Sequence, residues 1–299
     1  MRTKPCLTSA DVKTMMVACM AEAAKHNWKV TVAIVDDGGF MLHLDRMDGA
    51  AVTTAEVAVG KARTSALTKR PSKFFEDRVK ACPGCDLAGA NFKRRDLSGA
   101  DLAGANLKDA NFHDARLTGA KLAGADLTGA NLNKADLRRA DLGGAKLHEA
   151  MLYAADLDGA RLVGADLTDA LMGTARLTRS DLGKAILRNA DLRKARLADA
   201  ILAGADLSGA ALDFAILRSA KLDGASLAQA RLMGAECNDA SLVGADLTDA
   251  DASGANFRGA QFARANLAGT SFRKADLYDA LLDEAIFRDT IMPDGTTQP

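Results

Sequence analysis

From Leu87 to Met292 a bulky apolar residue returns at every fifth position without insertion, making 42 consecutive units. The central residue is Leu, Phe or Met except at Cys237 and Ala252, and from Ala100 to Ala285 the position two before it is Ala except at Ser180 and Thr270. A period of five fits neither the 3.6 of a helix nor the 2.0 of an ordinary strand, so an amphipathic helix is excluded and a stacked repeat is favoured.

Five residues with one large and one small apolar member have few conformational options. In an extended segment alternate side chains share a face, so the Ala and the central residue point inward while the residue between them points out. The other two positions must turn a corner. A type II turn from the central residue to the next Ala needs a positive φ at its third residue, where Gly is least strained, and Gly holds that slot in 17 of the 42 units, for instance Gly99, Gly104 and Gly119.

Units such as ADLTG and ANLNK resemble the pentapeptide-repeat proteins, over residues 85–294 and about 70% of the chain. The resemblance implies a mainly β fold: a right-handed quadrilateral β-helix with four units per coil. On that basis residues 81–299 form about ten coils, and the column is about 50 Å long at about 4.8 Å per coil. Burying one Leu contributes roughly 1.5 to 3 kcal/mol, against about 1 to 2 kcal/mol of backbone entropy per ordered residue. One coil is therefore marginal, and stability must come from stacking.

Residues 1–80 differ in kind. Thr8 with Asp11 opens a helix whose Val12, Met15, Met16, Cys19, Met20 and Ala23 fall at helical spacing. The β-branched run from Val30 to Val35, the turn Asp36-Asp37-Gly38-Gly39 and the run from Phe40 to Leu44 read as a hairpin. Thr53 and Glu56 open a second helix, which Pro71 closes. The stretch VTVAIVDDGGFMLHLDRMDGAAVTTAEVAVGKARTSALTKRP is similar to the amino-terminal half of the GlcG/HbpS haem-binding or haem-degrading family, through its VVD-x-GG-type turn, R-x-DGA loop and KA-x-T-A helix. That implies a truncated α/β segment lacking the later strands and final helix. Such a segment is expected to cap the first coil, whose open strand edges and apolar interior otherwise invite aggregation. At the other end, Leu282, Phe287, Ile291 and Met292 make an apolar last coil that either folds back on itself or pairs with its copy in a symmetric dimer.

The 39 basic and 39 acidic residues balance, which offers no whole-molecule attraction to nucleic acid or an anionic membrane. Residues 201–299 alone are appreciably acidic, with 8 basic and 14 acidic residues. No run is long enough to span a bilayer, and MMVACMA does not make a signal peptide, so a cytoplasmic location is expected. Five cysteines argue against a secreted disulfide framework. Cys82-Pro83-Gly84-Cys85 reads as half a zinc site, a redox pair or, preferably, structure, because Cys85 falls at the inward Ala position. Cys237 falls at a central position and is expected in the core. His113 and His148 occupy outward slots, and His43 on the hairpin is the one candidate to approach a tetrapyrrole. No nucleophile elbow, phosphate loop or zincin motif occurs.

These features favour a noncatalytic scaffold that binds a protein partner, with no catalytic residue, cofactor or metal assigned. The resemblance to pentapeptide-repeat proteins implies a second reading, mimicry of duplex DNA that protects a type II topoisomerase such as gyrase. A duplex of about 50 Å carries roughly 30 negative charges, far more than the 26 basic and 30 acidic residues of residues 81–299 provide. Mimicry therefore falls to the acidic carboxy-terminal coils, with Asp246, Asp249, Asp251 and Asp279 as the partner-binding candidates. A third reading, haem binding through the amino-terminal segment, follows from the GlcG/HbpS resemblance.

Overall fold

The structure is a computed structural model that describes residues 9–25, 30–35, 41–46, 58 and 81–298. The chain divides into two compact units, Met1–Val79 and Lys80–Pro299. The first contains α1 (Ser9–Lys25) and the antiparallel pair β1 (Thr31–Val35) and β2 (Met41–Arg46), with a register irregularity between Ile34 and Val35. Helix α1 buries a narrower stripe than its sequence suggests. Val12, Met16 and Ile34 form a small core flanked by Met20 and Val32, whereas Met15 and Cys19 are exposed. The turn at residues 36–39 lies outside the described residues, as does the expected second helix apart from Ala58, which is helical.

The second unit is a parallel β-helix with four five-residue sides per coil. Bridges join residues 20 apart along its whole length, from Ala81 with Asp101 to Ser271 with Ile291. Four units therefore close each turn. Each side contributes a single bridging residue rather than a multi-residue strand, because two of every five residues are spent on a corner. Every corner residue from 89 to 289 has φ between 53° and 69°, Gly or not. A bond from the Ala N–H back to the central carbonyl, such as Ala105 N to Leu102 O at 3.1 Å, closes the turn. That pairing with one positive φ at the third residue is the type II geometry expected.

The inward assignment holds throughout the stacked coils, with Leu102, Leu157 and Leu217 fully buried beside Ala100, Ala155 and Ala215. Exceptions at the small position are satisfied internally. Ser180 donates to the Leu177 carbonyl at 2.7 Å and Thr270 to the Leu247 carbonyl at 2.8 Å, so neither hydroxyl is buried unpaired. Where Ala252 leaves a central position small, Phe257, the next central residue, meets Phe272 edge to face at 5.7 Å and Phe262 at 5.2 Å. Rings of this size supply volume that Ala does not.

The bridged coils take in the unit that precedes that of Leu87. Ala81 already bridges Asp101, and Cys82-Pro83-Gly84-Cys85 forms a corner with Gly84 at φ 68° and Cys85 N bonded to Cys82 O. Cys82 and Cys85 are joined by a disulfide across that corner, with Cα atoms 5.5 Å apart. This corrects the reading of Cys85 as merely a small inward residue. The central and small positions of one unit face the same interior, which brings the two sulfurs together. At the far end β3 (Thr290–Ile291) pairs with β4 (Thr297–Gln298), so the chain folds back over one side of the column. On the last coil Leu277, Leu282 and Phe287 are only half-buried, and Leu281 and Ile286 are exposed.

Candidate interaction surface

The repeat decides which backbone groups reach the outer surface. Within one unit, Leu102 and Gly104 donate to the next coil at Lys121 and Ala123, Asn106 donates to the previous coil at Cys85, and Ala105 closes the turn on Leu102. One N–H remains, that of Ala103, and the Asp101 side chain accepts it at 3.4 Å. The same closure recurs at Asp136, Asp166, Asp206 and Asn131. The frequent Asp or Asn before the central residue is thus explained by backbone satisfaction. It does not mark a carboxylate site.

Pairing between coils consumes much of the remaining charge. Arg116 reaches Asp96 at 2.7 Å, Arg161 reaches Asp141 at 3.0 Å and Arg231 reaches Asp213 at 2.6 Å. Asp213 is buried, and its Oδ1 has no hydrogen-bond partner. The forked bond from the Arg138 side chain lowers Asp136 to about 2 against the opposing effect of burial. Arg193 holds Asp191 below the usual carboxylate range in the same way. Burial pushes the Cys237 thiol upward, which makes it an inert core residue. His113 and His148 are half-buried rather than fully solvated, and the His148 ring rests 3.1 Å from the Thr168 carbonyl. His43 lies in β2 opposite Ile34, its side chain outside the described residues.

The four acidic candidates do not form one stripe. Asp246 and Asp249 share a side of one coil, Asp251 begins the next side, and Asp279 lies on the fourth side one coil later. Asp246 and Asp251 are also engaged in corner bonds, to Thr248 N and Ser253 N, both at 3.0 Å. Asp279 lines a groove of about 250 Å³ with Asn238, Asp239, Arg258 and Tyr278, and Arg258 stacks on Tyr278 at 4.5 Å. A larger open groove of about 600 Å³ runs past Arg138, Arg139, Asp158, Gly159 and Arg179. Among the described residues no group of three or more His, Cys, Asp or Glu is arranged to hold a metal ion, and no helix is long and apolar enough to cross a membrane.

The signal that sequence reasoning missed is apolar. Tyr153, Leu171, Phe214 and Met233 are between 44% and 57% exposed, and the 20-residue period places all four on one side of the column. It was available from position number alone.

Comparison with known proteins finds different relatives for the two ends of the chain. A family model described as haem-degrading protein HbpS-like matches residues 7–118, extending into the first coils. Protein GlcG of Escherichia coli strain K12 is 42% identical over 79 residues, covering 26% of this chain and 59% of GlcG. An uncharacterised 15.0 kDa protein of Citrobacter freundii is 35% identical over 83 residues, 28% of this chain and 57% of that protein. The chain thus spans under two thirds of the length of these curated relatives. The pentapeptide-repeat model matches in segments from 110–148 to 250–289. The crystal structure of HetL, a pentapeptide-repeat protein involved in heterocyst differentiation regulation in the cyanobacterium Nostoc sp. strain PCC 7120, is 35% identical, with 76% of this chain and 97% of HetL covered and a TM-score of 0.61. That likeness implies a right-handed column. With 20-residue bridging, inward Leu and Ala, and type II corners all in place, the chain belongs to the pentapeptide-repeat family.

Proposed function

We propose that this protein is a noncatalytic scaffold that binds another protein through the outer residues of its β-helix. One observation carries the reading: inward positions are filled by Leu, Phe and Ala, while outward positions vary among charged, polar and apolar residues on a backbone they do not alter. A rigid surface with freely chosen side chains suits recognition, whereas catalysis generally needs a concave site. Co-purification of the tagged full chain from its native cell should yield a partner in stoichiometric amount. Recovery of the chain alone, at endogenous levels and after cross-linking, would count against a scaffold.

A second reading concerns the carboxy-terminal end. Three of its four sides have no following coil, and half-buried Leu277, Leu282 and Phe287 lie beside exposed Leu281 and Ile286. A second copy meeting this end about a twofold axis would cover them. Sedimentation should then show a dimer that Ile286→Lys dissociates. For gyrase protection the acidic end remains the proposed agent, and neutralising Asp246, Asp249, Asp251 and Asp279 together should abolish any effect in a supercoiling assay. For the amino-terminal unit we propose that it forms no stoichiometric haem complex; a saturable Soret band lost on changing His43 would contradict it.

A further inference from the structure

We propose that the side of the column carrying Met151, Tyr153, Leu171, Phe214 and Met233 is the docking face, and that its occupant is an acidic amphipathic helix of a partner protein. The proposal deepens the scaffold reading and rests on it.

Backbone strain gives the first argument. Phe214 occupies a corner with φ 57° and, among the described residues, is the sole aromatic one with a positive φ. The left-handed region costs an L-residue about 1–2 kcal/mol, and a bulky residue there is unusual. Phe214 keeps this conformation while 57% exposed, with one face of its ring open. A strained residue with an open face points toward use of that face.

Glycine placement gives the second. The Phe214 ring lies over Gly234 one coil on, where an added Cβ would sit 2.7 Å from the ring. Tyr153 likewise lies over Gly173 one coil on, its ring in ordinary van der Waals contact at 3.4 Å from the point where a Cβ would sit. Each ring therefore covers backbone with one face and leaves the other open, which gives two apolar patches on either side of the row of Asp191, Arg193 and Lys194.

The occupant follows from charge and spacing. On this side between residues 130 and 234, Asp191 is tied to Arg193 at 2.6 Å and Asp213 to Arg231 at 2.6 Å. Lys134 and Lys194 are exposed and have no carboxylate partner among the described residues. The uncompensated charge beside the apolar residues is thus basic, which favours acidic groups opposite. Along the axis the coils repeat at about 4.8 Å. A helix advances about 5.4 Å per turn and so drifts by about 0.6 Å per coil, whereas same-face residues of a strand recur at about 6.6 Å and drift by about 1.8 Å, so the helix is the better match.

A random-peptide library displayed on phage and selected on the full chain tests the proposal, with enriched peptides remeasured by fluorescence anisotropy. Expected are peptides with apolar residues at three- and four-residue spacing interspersed with Asp and Glu. Their binding should weaken about tenfold or more with Phe214→Asn or Tyr153→Ser and be unchanged by Tyr278→Ser on the last coil. Lys134→Glu with Lys194→Glu should shift selection toward basic peptides. Phe214→Asn should melt no lower than the parent, because Asn tolerates the corner conformation, so lost binding is not lost folding. Peptides whose binding responds to Tyr278→Ser and not to Phe214→Asn would overturn this face and leave the scaffold reading standing. Enrichment of basic or extended peptides would overturn the occupant. Self-association abolished by Phe214→Asn would make the occupant a second copy, and no enrichment at all would overturn both this proposal and the scaffold reading.

Discussion

At the scale of the residue, the inward and outward positions of one unit carry different energetic weight. Leu157 is fully buried, so Leu157→Asp places an unpaired charge in the interior and should cost about 4 kcal/mol or more in chemical unfolding. Its neighbour Asp156 supplies an acceptor to Asp158 N at 3.1 Å, a role that the Asn amide oxygen also fills. Asp156→Asn should therefore change stability by no more than about 0.5 kcal/mol. Comparable losses for the two would refute the assignment of faces. Corner residues isolate the backbone contribution. Gly224 has φ 63° with nothing within 4 Å of an added Cβ, so Gly224→Val should cost about 1–2 kcal/mol through conformation alone. At Thr174, with φ 58°, the reverse change to Gly should be neutral or stabilise by up to about 1 kcal/mol, and a loss there would contradict the strain account.

At the scale of the element, the coil is the unit of stacking and the five-residue side is the unit of pointing. Deleting residues 161–180 removes one coil and preserves every column, because bridges join residues 20 apart. Deleting 161–165 keeps the inward pattern but turns all later residues by one side, so the contacts that span the junction, such as Arg176 with Asp158 and Tyr153 over Gly173, are lost while those wholly beyond it persist. Deleting Arg161 and Leu162 alone breaks the period and forces a bulge at the junction. Melting temperatures should rank in that order, with the 20-residue deletion nearest the parent. A two-residue deletion more stable than either other variant would be incompatible with this architecture.

At the scale of the whole molecule, surface carboxylates give the fold an acid limit. Asp136 is lowered to about 2 by its bonds to Arg138, and Asp191 is lowered by Arg193. A folded-state value below the unfolded value of about 3.9 stabilises at higher pH, and that contribution disappears as pH falls through the folded value. The parent should therefore exceed the Asp136→Asn, Asp191→Asn double variant in urea resistance near pH 6, with the difference shrinking toward pH 2. A difference that grows on acidification would show that these pairs do not have the assigned sign. Both pairs are partly exposed, so high salt should also reduce the difference.

The five-residue period by itself determined the inward ladders, the corner conformation and the family resemblance, because a repeat without insertion leaves one register in which every large residue is buried. It also made Ser180 and Thr270 legible as small substitutes. What the period could not show was where chemistry accumulates on the outside, since outward residues do not alter the repeat that positions them. Stacking at 20 residues decided that, by bringing Tyr153, Leu171, Phe214 and Met233 to one side and dispersing Asp246, Asp249, Asp251 and Asp279 over three. The same stacking placed Gly173 and Gly234 beneath aromatic rings one coil away. The Cys82–Cys85 disulfide, by contrast, is a local contact across a single corner. Neighbours within a unit follow from local geometry, whereas neighbours between coils exist only once the chain has wound back upon itself.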